Sequence, residues 1–170
     1  MFTWRKRYDT RSTMKITPLR VDLIPQILAL MDRGAPYVRA RTASDYWLYA
    51  TLFSSTCPTA LINDELVGAV IAFRSQDAPS EVYIQDVMTH PGHRRAGIAQ
   101  SLIGHVRDQA TAWNCTRIYL TSEPENTAAQ ATWESMGFSN AGGDRIVNGV
   151  PVIANFKGPG KDRAVYQLSI

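Results

Sequence analysis

Arg94-Arg95-Ala96-Gly97-Ile98-Ala99 joins a segment of strand character, Val82 to Thr89, to one of helical character, Ile98 to Trp113. A basic, glycine-containing turn between strand and helix is suited to an anion. The first N–H groups of a helix have no intrahelical partner, and the helix dipole adds partial positive charge beside them. Gly97 lets a phosphate approach the backbone, and two arginines stand next to it. Short patterns of this kind also arise by chance at ordinary helix starts. The rest of the chain decides between the two.

A second motif lies downstream, Asn126-Thr-Ala-Ala-Gln-Ala-Thr-Trp133-Glu-Ser-Met-Gly137-Phe138. Together with Asp86-Val-Met-Thr-His-Pro91-Gly-His-Arg-Arg95-Ala-Gly97-Ile-Ala99, it resembles the GNAT superfamily of N-acetyltransferases. Asn126, Ala129 and Gly137-Phe138 stand at the spacing of that family's second motif. The likeness is strong over residues 80–140 and rests elsewhere on the order of elements. It implies an α+β fold with a mixed central sheet of about seven strands, splayed at the fourth and fifth, flanked by about four helices. The cofactor would lie in the opening.

The resemblance also implies a set of sites. Backbone N–H groups of Arg95, Ala96, Gly97, Ile98 and Ala99 would hold the pyrophosphate of acetyl-CoA, with the Arg94 and Arg95 side chains assisting. The backbone of Val87, Met88 and Thr89 would pair with the pantetheine arm, and the N–H of Val87 or Met88 would polarise the thioester carbonyl. Asn126 matches a cofactor contact, although an Asn before a helix is also an ordinary cap. Trp133 stands where the family commonly has a tyrosine that protonates the leaving thiolate. Indole donates through its N–H but does not give that proton up. Trp133 can wall the cofactor tunnel, while acid help would come from Tyr119, Tyr83 or water.

Acetyl transfer needs the amine as its free base, and an alkylammonium of pKa about 10.4 is neutral to less than about one part in a thousand at pH 7. A base is therefore useful. Asp86 is the carboxylate inside an otherwise neutral strand, and it serves either as acceptor-binding group and base or as a satisfied structural acid. Strict alternation would put Ile84, Asp86 and Met88 on one face and Tyr83, Gln85 and Val87 on the other. Glu81 is a second acid candidate; His90 and His93 read as solvated loop residues and His105 as a surface residue. The resemblance implies an acceptor site under the first two helices and the late hairpin, with Tyr37, Arg39, Arg41, Tyr46 and Trp47 in that region; Tyr37 and Trp47 are the substrate-binding candidates beside Asp86. The arginines would suit a carboxylate or phosphate. Equally, they are simply exposed, with Trp47 in the core.

At 170 residues and 45% apolar content, the chain suits one domain over residues 14–170, with residues 1–13 a loose extension. The net charge of +3 fits a polyanionic cofactor, but there is no basic stripe interleaved with aromatics, so nucleic acid is not the expected partner. No apolar run suits a membrane span, and Met1-Phe-Thr-Trp-Arg-Lys-Arg-Tyr has no apolar core behind it, so a cytoplasmic protein is expected. Cys57 and Cys115 lack metal-ligand spacing and read as buried thiols; no metal is expected.

Along the chain, Lys15 to Arg20 reads as a strand. A helix follows from Asp22, taken as its cap, to Met31, and Ser44 caps a second helix. Thr59–Ile62 and Leu66–Phe73 form a hairpin about Asn63-Asp64. Arg117–Thr121 is a fifth strand, Thr127–Met136 a helix with a Thr127/Gln130 capping box, and Arg145–Phe156 and Ala164–Ile170 are late strands around an exposed loop at 157–161.

The functional expectation is an N-acetyltransferase that takes acetyl-CoA and the primary amine of a small molecule or peptide, by direct attack in a ternary complex, since no activated Cys or Ser is apparent. The alternative is a catalytically weak protein of the same fold that binds or senses acyl-CoA, a reading that Trp133 favours. The resemblance leaves room for a homodimer.

Overall fold

The computed structural model describes residues 13–170; the expected extension over 1–13 lies outside the described residues apart from Thr13. In chain order the strands are β1 (Lys15–Pro18), β2 (Pro58–Ile62), β3 (Glu65–Arg74), β4 (Glu81–Thr89), β5 (Arg117–Ser122), β6 (Ser139–Asn140), β7 (Arg145–Val147), β8 (Val150–Val152) and β9 (Ala164–Ser169). The helices are α1 (Ile24–Asp32), α2 (Ala43–Leu52), α3 (Ile98–Ala112) and α4 (Thr127–Ser135). Seven strands make one mixed sheet in the order β1-β2-β3-β4-β5-β9-β6, and β7 and β8 form a separate hairpin. No helix among the described residues is long and apolar enough to cross a membrane.

Helices cover both faces of the sheet. On one face α3 buries Ile98, Leu102, Ile103, Val106 and Ala110 against Val70, Ala72, Val82 and Ile84. On the other, α1 and α2 bury Ile27, Leu30, Met31 and Tyr46 against Ala69, Ile71 and Met88. Gly68 in β3 lets α3 start close to the sheet: a Cβ there would stand 2.5 Å from Ile98 Cγ2 and 3.1 Å from Leu102 Cδ1. The spacing of the apolar residues in α3 therefore seats the preceding turn firmly on the sheet.

Several local expectations are corrected. Asp22 does not cap α1: a 3-10 turn, Val21–Leu23, leads in, and Asp22 pairs with Arg20 at 2.9 Å. Thr42 and not Ser44 caps α2, through a box in which Asp45 N donates to Thr42 Oγ1 at 3.2 Å and Thr42 N donates to Asp45 Oδ2 at 3.0 Å. The Thr127/Gln130 box does not form, because Gln130 Nε2 donates to Glu134 Oε1 one turn along α4 at 3.0 Å. Arg145–Phe156 is not one strand but the β7–β8 hairpin, bent at Asn148-Gly149, where both residues take positive φ. The Asn63-Asp64 turn of the β2–β3 hairpin follows the same rule, with φ of 51° and 63°.

Two features of β4 matter for the site. Opposite β3 the register runs Ile71↔Asp86 and then Ala72↔Ile84, so Gln85 is an extra, bulged residue. Cross-strand partners share a face. Asp86 and Met88 thus join Ile71 and Ala69 on the α1/α2 face, with Tyr83 opposite Phe73 on that same face, whereas Ile84 and Val87 lie with Ala72 and Val70 on the α3 face. The simple alternation that grouped Ile84 with Asp86, and Tyr83 with Val87, is therefore wrong, and one inserted residue is the cause. Secondly, β4 and β5 run parallel and pair only from Glu81↔Arg117 to Ile84↔Leu120. Beyond that point β5 keeps β9 as its partner to Ser122, while Asp86–Thr89 have a strand partner on the β3 side alone and the bulged Gln85 has none. The sheet parts in its middle.

Candidate active site

The parting opens a cleft of about 260 Å³. The upper half of β4 supplies Gln85, Asp86 and Val87, and the end of β5 supplies Thr121, Ser122 and Glu123. Tyr37 and Arg41 enter from the loop after α1, Asn126 from the position just before α4, Trp133 from α4, and Lys157, Lys161 and Arg163 from the loop before β9. A second groove continues from it between β4 and α4, lined by Val87, Met88, Thr89, Arg94, Asn126 and Trp133, with Ala99 at the start of α3. Asn126 and Trp133 border both spaces.

At the far end of that groove lies the basic turn. Arg95 and Gly97 both have left-handed backbone, with φ of 65° and 73°. The first helical bond runs from Ser101 N to Gly97 O at 3.0 Å, so the N–H groups of Ile98, Ala99 and Gln100 precede any intrahelical acceptor. Arg94, Arg95, Ala96 and Gly97 are exposed, and a Cβ on Gly97 would meet nothing within 4 Å. Ile98 buries its side chain in the core and offers only its backbone to the turn. His90 is a turn residue, its Nδ1 accepting from Gly92 N at 2.9 Å.

Asp86 lies at the floor of the cleft, 7% exposed, and its Oδ2 has no hydrogen-bond partner. Arg41 Nε stands 3.8 Å from that oxygen, beyond hydrogen-bond reach. Burial raises the Asp86 pKa above the ordinary carboxylate range, and the positive charges of Arg41 and Lys157 oppose the shift. Lys157 Nζ itself donates to Tyr83 Oη. Glu81 instead pairs with Arg117 at 3.3 Å, at the closed end of the β4–β5 pair.

Trp133 Nε1 donates to Ser122 Oγ at 2.9 Å, tying α4 to the end of β5. Tyr119 is not among the residues lining the cleft: it packs on Tyr83, ring centroids 5.2 Å apart, under the Arg117 guanidinium. Burial raises its pKa, with Glu81 adding to the shift and Arg117 opposing it. Trp47 is 51% exposed on α2 and lies outside both the cleft and the core, whereas Tyr37 reaches the cleft. Cys57 is fully buried and its thiol is pushed up to about 12 by burial. Among the described residues no group of three His, Cys, Asp or Glu side chains could hold a metal ion.

Sequence reading missed the cations of the 157–163 loop, the Ser122 partner of Trp133 and the bulge at Gln85. The two lysines and one arginine within Lys157-Gly-Pro-Gly-Lys-Asp-Arg163 were a usable signal; the bulge had none.

A mixed sheet parted beside a helix start with left-handed turns defines an N-acetyltransferase fold. The model of the acetyltransferase (GNAT) family matches residues 25–138, and the chain belongs to that family. It is 30% identical over 91 residues to the L-2,4-diaminobutyric acid acetyltransferase of Marinococcus halophilus, covering 54% of this chain and 53% of that protein. It is 32% identical over 102 residues to the mycothiol acetyltransferase of Kocuria rhizophila, covering 55% of this chain and 33% of that one. The chain thus spans about half the length, or less, of these curated relatives. Among solved structures, the diaminobutyrate acetyltransferase of Paenibacillus lautus, in complex with L-2,4-diaminobutyric acid and coenzyme A, superposes with a TM-score of 0.71 at 19% identity, covering 93% of this chain and 95% of that one. The ribosomal-protein-S18-alanine N-acetyltransferase of Escherichia coli gives 0.70 at 17%, covering 93% and 94%. At these identities the likeness is one of fold.

Proposed function

We propose that this protein transfers an acetyl group from acetyl-CoA to the primary amine of a small molecule, by direct attack within a ternary complex. The carrying observation is the parting of β4 from β5 directly above Ile84 and Leu120, which leaves the backbone of Val87–Thr89 open beside a buried Asp86 carboxylate whose Oδ2 has no hydrogen bond. The pantetheine arm pairs along Val87, Met88 and Thr89, and an N–H at Val87 or Met88 polarises the carbonyl. The pyrophosphate sits on the turn from Arg94 to Ala99. Asp86 receives the acceptor amine and draws its proton; its raised pKa moves it towards the range of a useful base. Cys57, buried and with a raised pKa, is no nucleophile, which supports the direct route.

A second reading has one observation in its favour. Trp133 replaces the family's usual tyrosine, and its single donor is already engaged by Ser122. The protein would then bind acyl-CoA with little turnover. Of the expected substitute acids, neither Tyr119 nor Tyr83 lines the cleft, and Tyr83 Oη accepts from Lys157, so a water carries that role if transfer occurs. Calorimetric titration with CoA, followed by thiol release from acetyl-CoA across an amine panel that includes L-2,4-diaminobutyric acid, separates the readings. Binding with release on at least one amine supports transfer, binding without release supports the second reading, and absence of binding removes both.

A further inference from the structure

The cleft that holds Asp86 is lopsided in charge. Five cationic side chains line it, Arg39, Arg41, Lys157, Lys161 and Arg163, against two carboxylates, Asp86 and Glu123. Some of the cations are occupied. Arg39 Nε donates to Pro36 O at 3.2 Å, Arg41 lies nearest Asp86, and Lys157 donates to Tyr83. Lys161 has no ion-pair partner among the described residues; Arg163 has Glu123 as its carboxylate partner, at 3.7 Å from Nη2, and its Nη1 donates to Asp162 O at 2.8 Å. The acid between them is spent elsewhere: Asp162 accepts from Arg145 Nη1 at 2.8 Å and from Asn155 N at 2.9 Å.

The loop carrying these cations is also held in shape. Asn155 Oδ1 accepts from Gly160 N at 2.7 Å, Lys157 N donates to Lys161 O at 3.2 Å, and Ile153 and Arg163 exchange both backbone bonds. Such a loop presents its charges at reduced ordering cost to a ligand. A buried carboxylate at the floor, its Oδ2 without a hydrogen bond, facing a braced cationic rim, is complementary to a molecule with charges of both signs.

We infer that Lys161 and Arg163 bind an anionic group carried by the amine acceptor, whose ammonium end sits on Asp86. This rests on the transfer reading for the word acceptor, but the anion site itself is a statement about binding. It favours amino acids and phosphorylated amines over polyamines, whose second positive charge would meet the rim.

Calorimetry on the CoA-loaded protein tests it with matched pairs: β-alanine, γ-aminobutyrate and L-2,4-diaminobutyric acid, each against its carboxamide, and phosphoethanolamine against ethanolamine. At least one anionic member should bind about tenfold or more tighter than its neutral partner. Whichever pair shows the preference names the anion. Lys161→Gln and Arg163→Gln should each erode that preference, and Arg163→Lys should keep most of it, with CoA affinity unchanged throughout. Lys161 is exposed, so its variant tests the site even if Arg163→Gln does not fold. Equal binding within every pair overturns the inference, as does a preference that survives both Gln variants. A preference of the expected kind without acetyl transfer leaves the anion site standing and defeats the transfer reading instead.

Discussion

At the scale of single residues, Asp86 and Trp133 make opposite demands. Asp86 is buried without a hydrogen bond at Oδ2, an arrangement that costs stability whenever the group is ionised. Its folded pKa is raised, so it binds its proton more tightly in the native state than in the unfolded chain. The stability it contributes is therefore fully present below the unfolded value and is lost as pH rises through the folded one. Asp86→Asn should accordingly raise Tm at neutral pH, and the gain should vanish under acid conditions where Asp86 is already protonated. The same variant should slow transfer without weakening CoA binding, with the deficit shrinking at high pH as the amine supplies its own free base. Thermal melts across pH and a pH–rate profile check the two halves. For Trp133, replacement by Phe removes the bond to the nearly buried Ser122 hydroxyl and should cost about 1–2 kcal/mol of stability. Turnover should change little, because no acid is lost. A large fall in kcat with native CoA affinity would give the indole N–H a direct part in the chemistry.

At the scale of elements, the turn into α3 should tolerate loss of charge better than loss of shape. Gly97 has left-handed φ with open space around it, so Gly97→Val is opposed by backbone strain of roughly 1–2 kcal/mol and by a side chain standing where a phosphate would rest. CoA affinity should fall severely. Arg95 shares the left-handed backbone, so Arg95→Gly removes the guanidinium while relieving the chain, and Arg95→Ala removes it with the strain kept. Calorimetry should find Arg95→Gly the milder of the two. This turn was legible in the sequence only through the second motif, Asn126 to Phe138, because a basic, glycine-containing junction alone also fits an ordinary helix start. The bulge at Gln85 was not. Glutamine fits a regular strand as well as a bulge, and the extra residue is defined only by the register β3 imposes. The cap of α2 is a different case, since Asp45, three residues after Thr42, was a usable sequence signal that favours Thr42 over Ser44.

At the scale of the whole molecule, the two motifs and the order of elements carried the fold, whereas the division of the core into two apolar clusters appears only in the structure. The cleft's charge was readable only in part. Arg39 and Arg41 stood near the expected acceptor region, but Lys157, Lys161 and Arg163 enter from a loop more than a hundred residues away, and only tertiary closure brings them to Asp86. Cys57 and Cys115, both buried, should stay silent to thiol reagents in the native protein and react on unfolding, which also leaves a low background for assays that count released CoA.

The parting of the sheet has a mechanical side. Four residue pairs, Glu81–Ile84 with Arg117–Leu120, join β4 to β5, and Thr116 N and Arg117 N add bonds to Ser80 O at the closed end, so the two halves of the sheet meet along only the first half of β4. A ligand lying along Gln85–Thr89 would complete that seam as a surrogate strand. CoA at a hundredfold excess over its Kd should add about 2.7 kcal/mol, a Tm rise of roughly 5–10 °C for a chain of this size. Amide exchange at Gln85–Thr89 should slow with it, more than at β1 or β2. The cofactor of such a protein is a structural member as well as a reagent, and the apo chain would be the form that proteases find first.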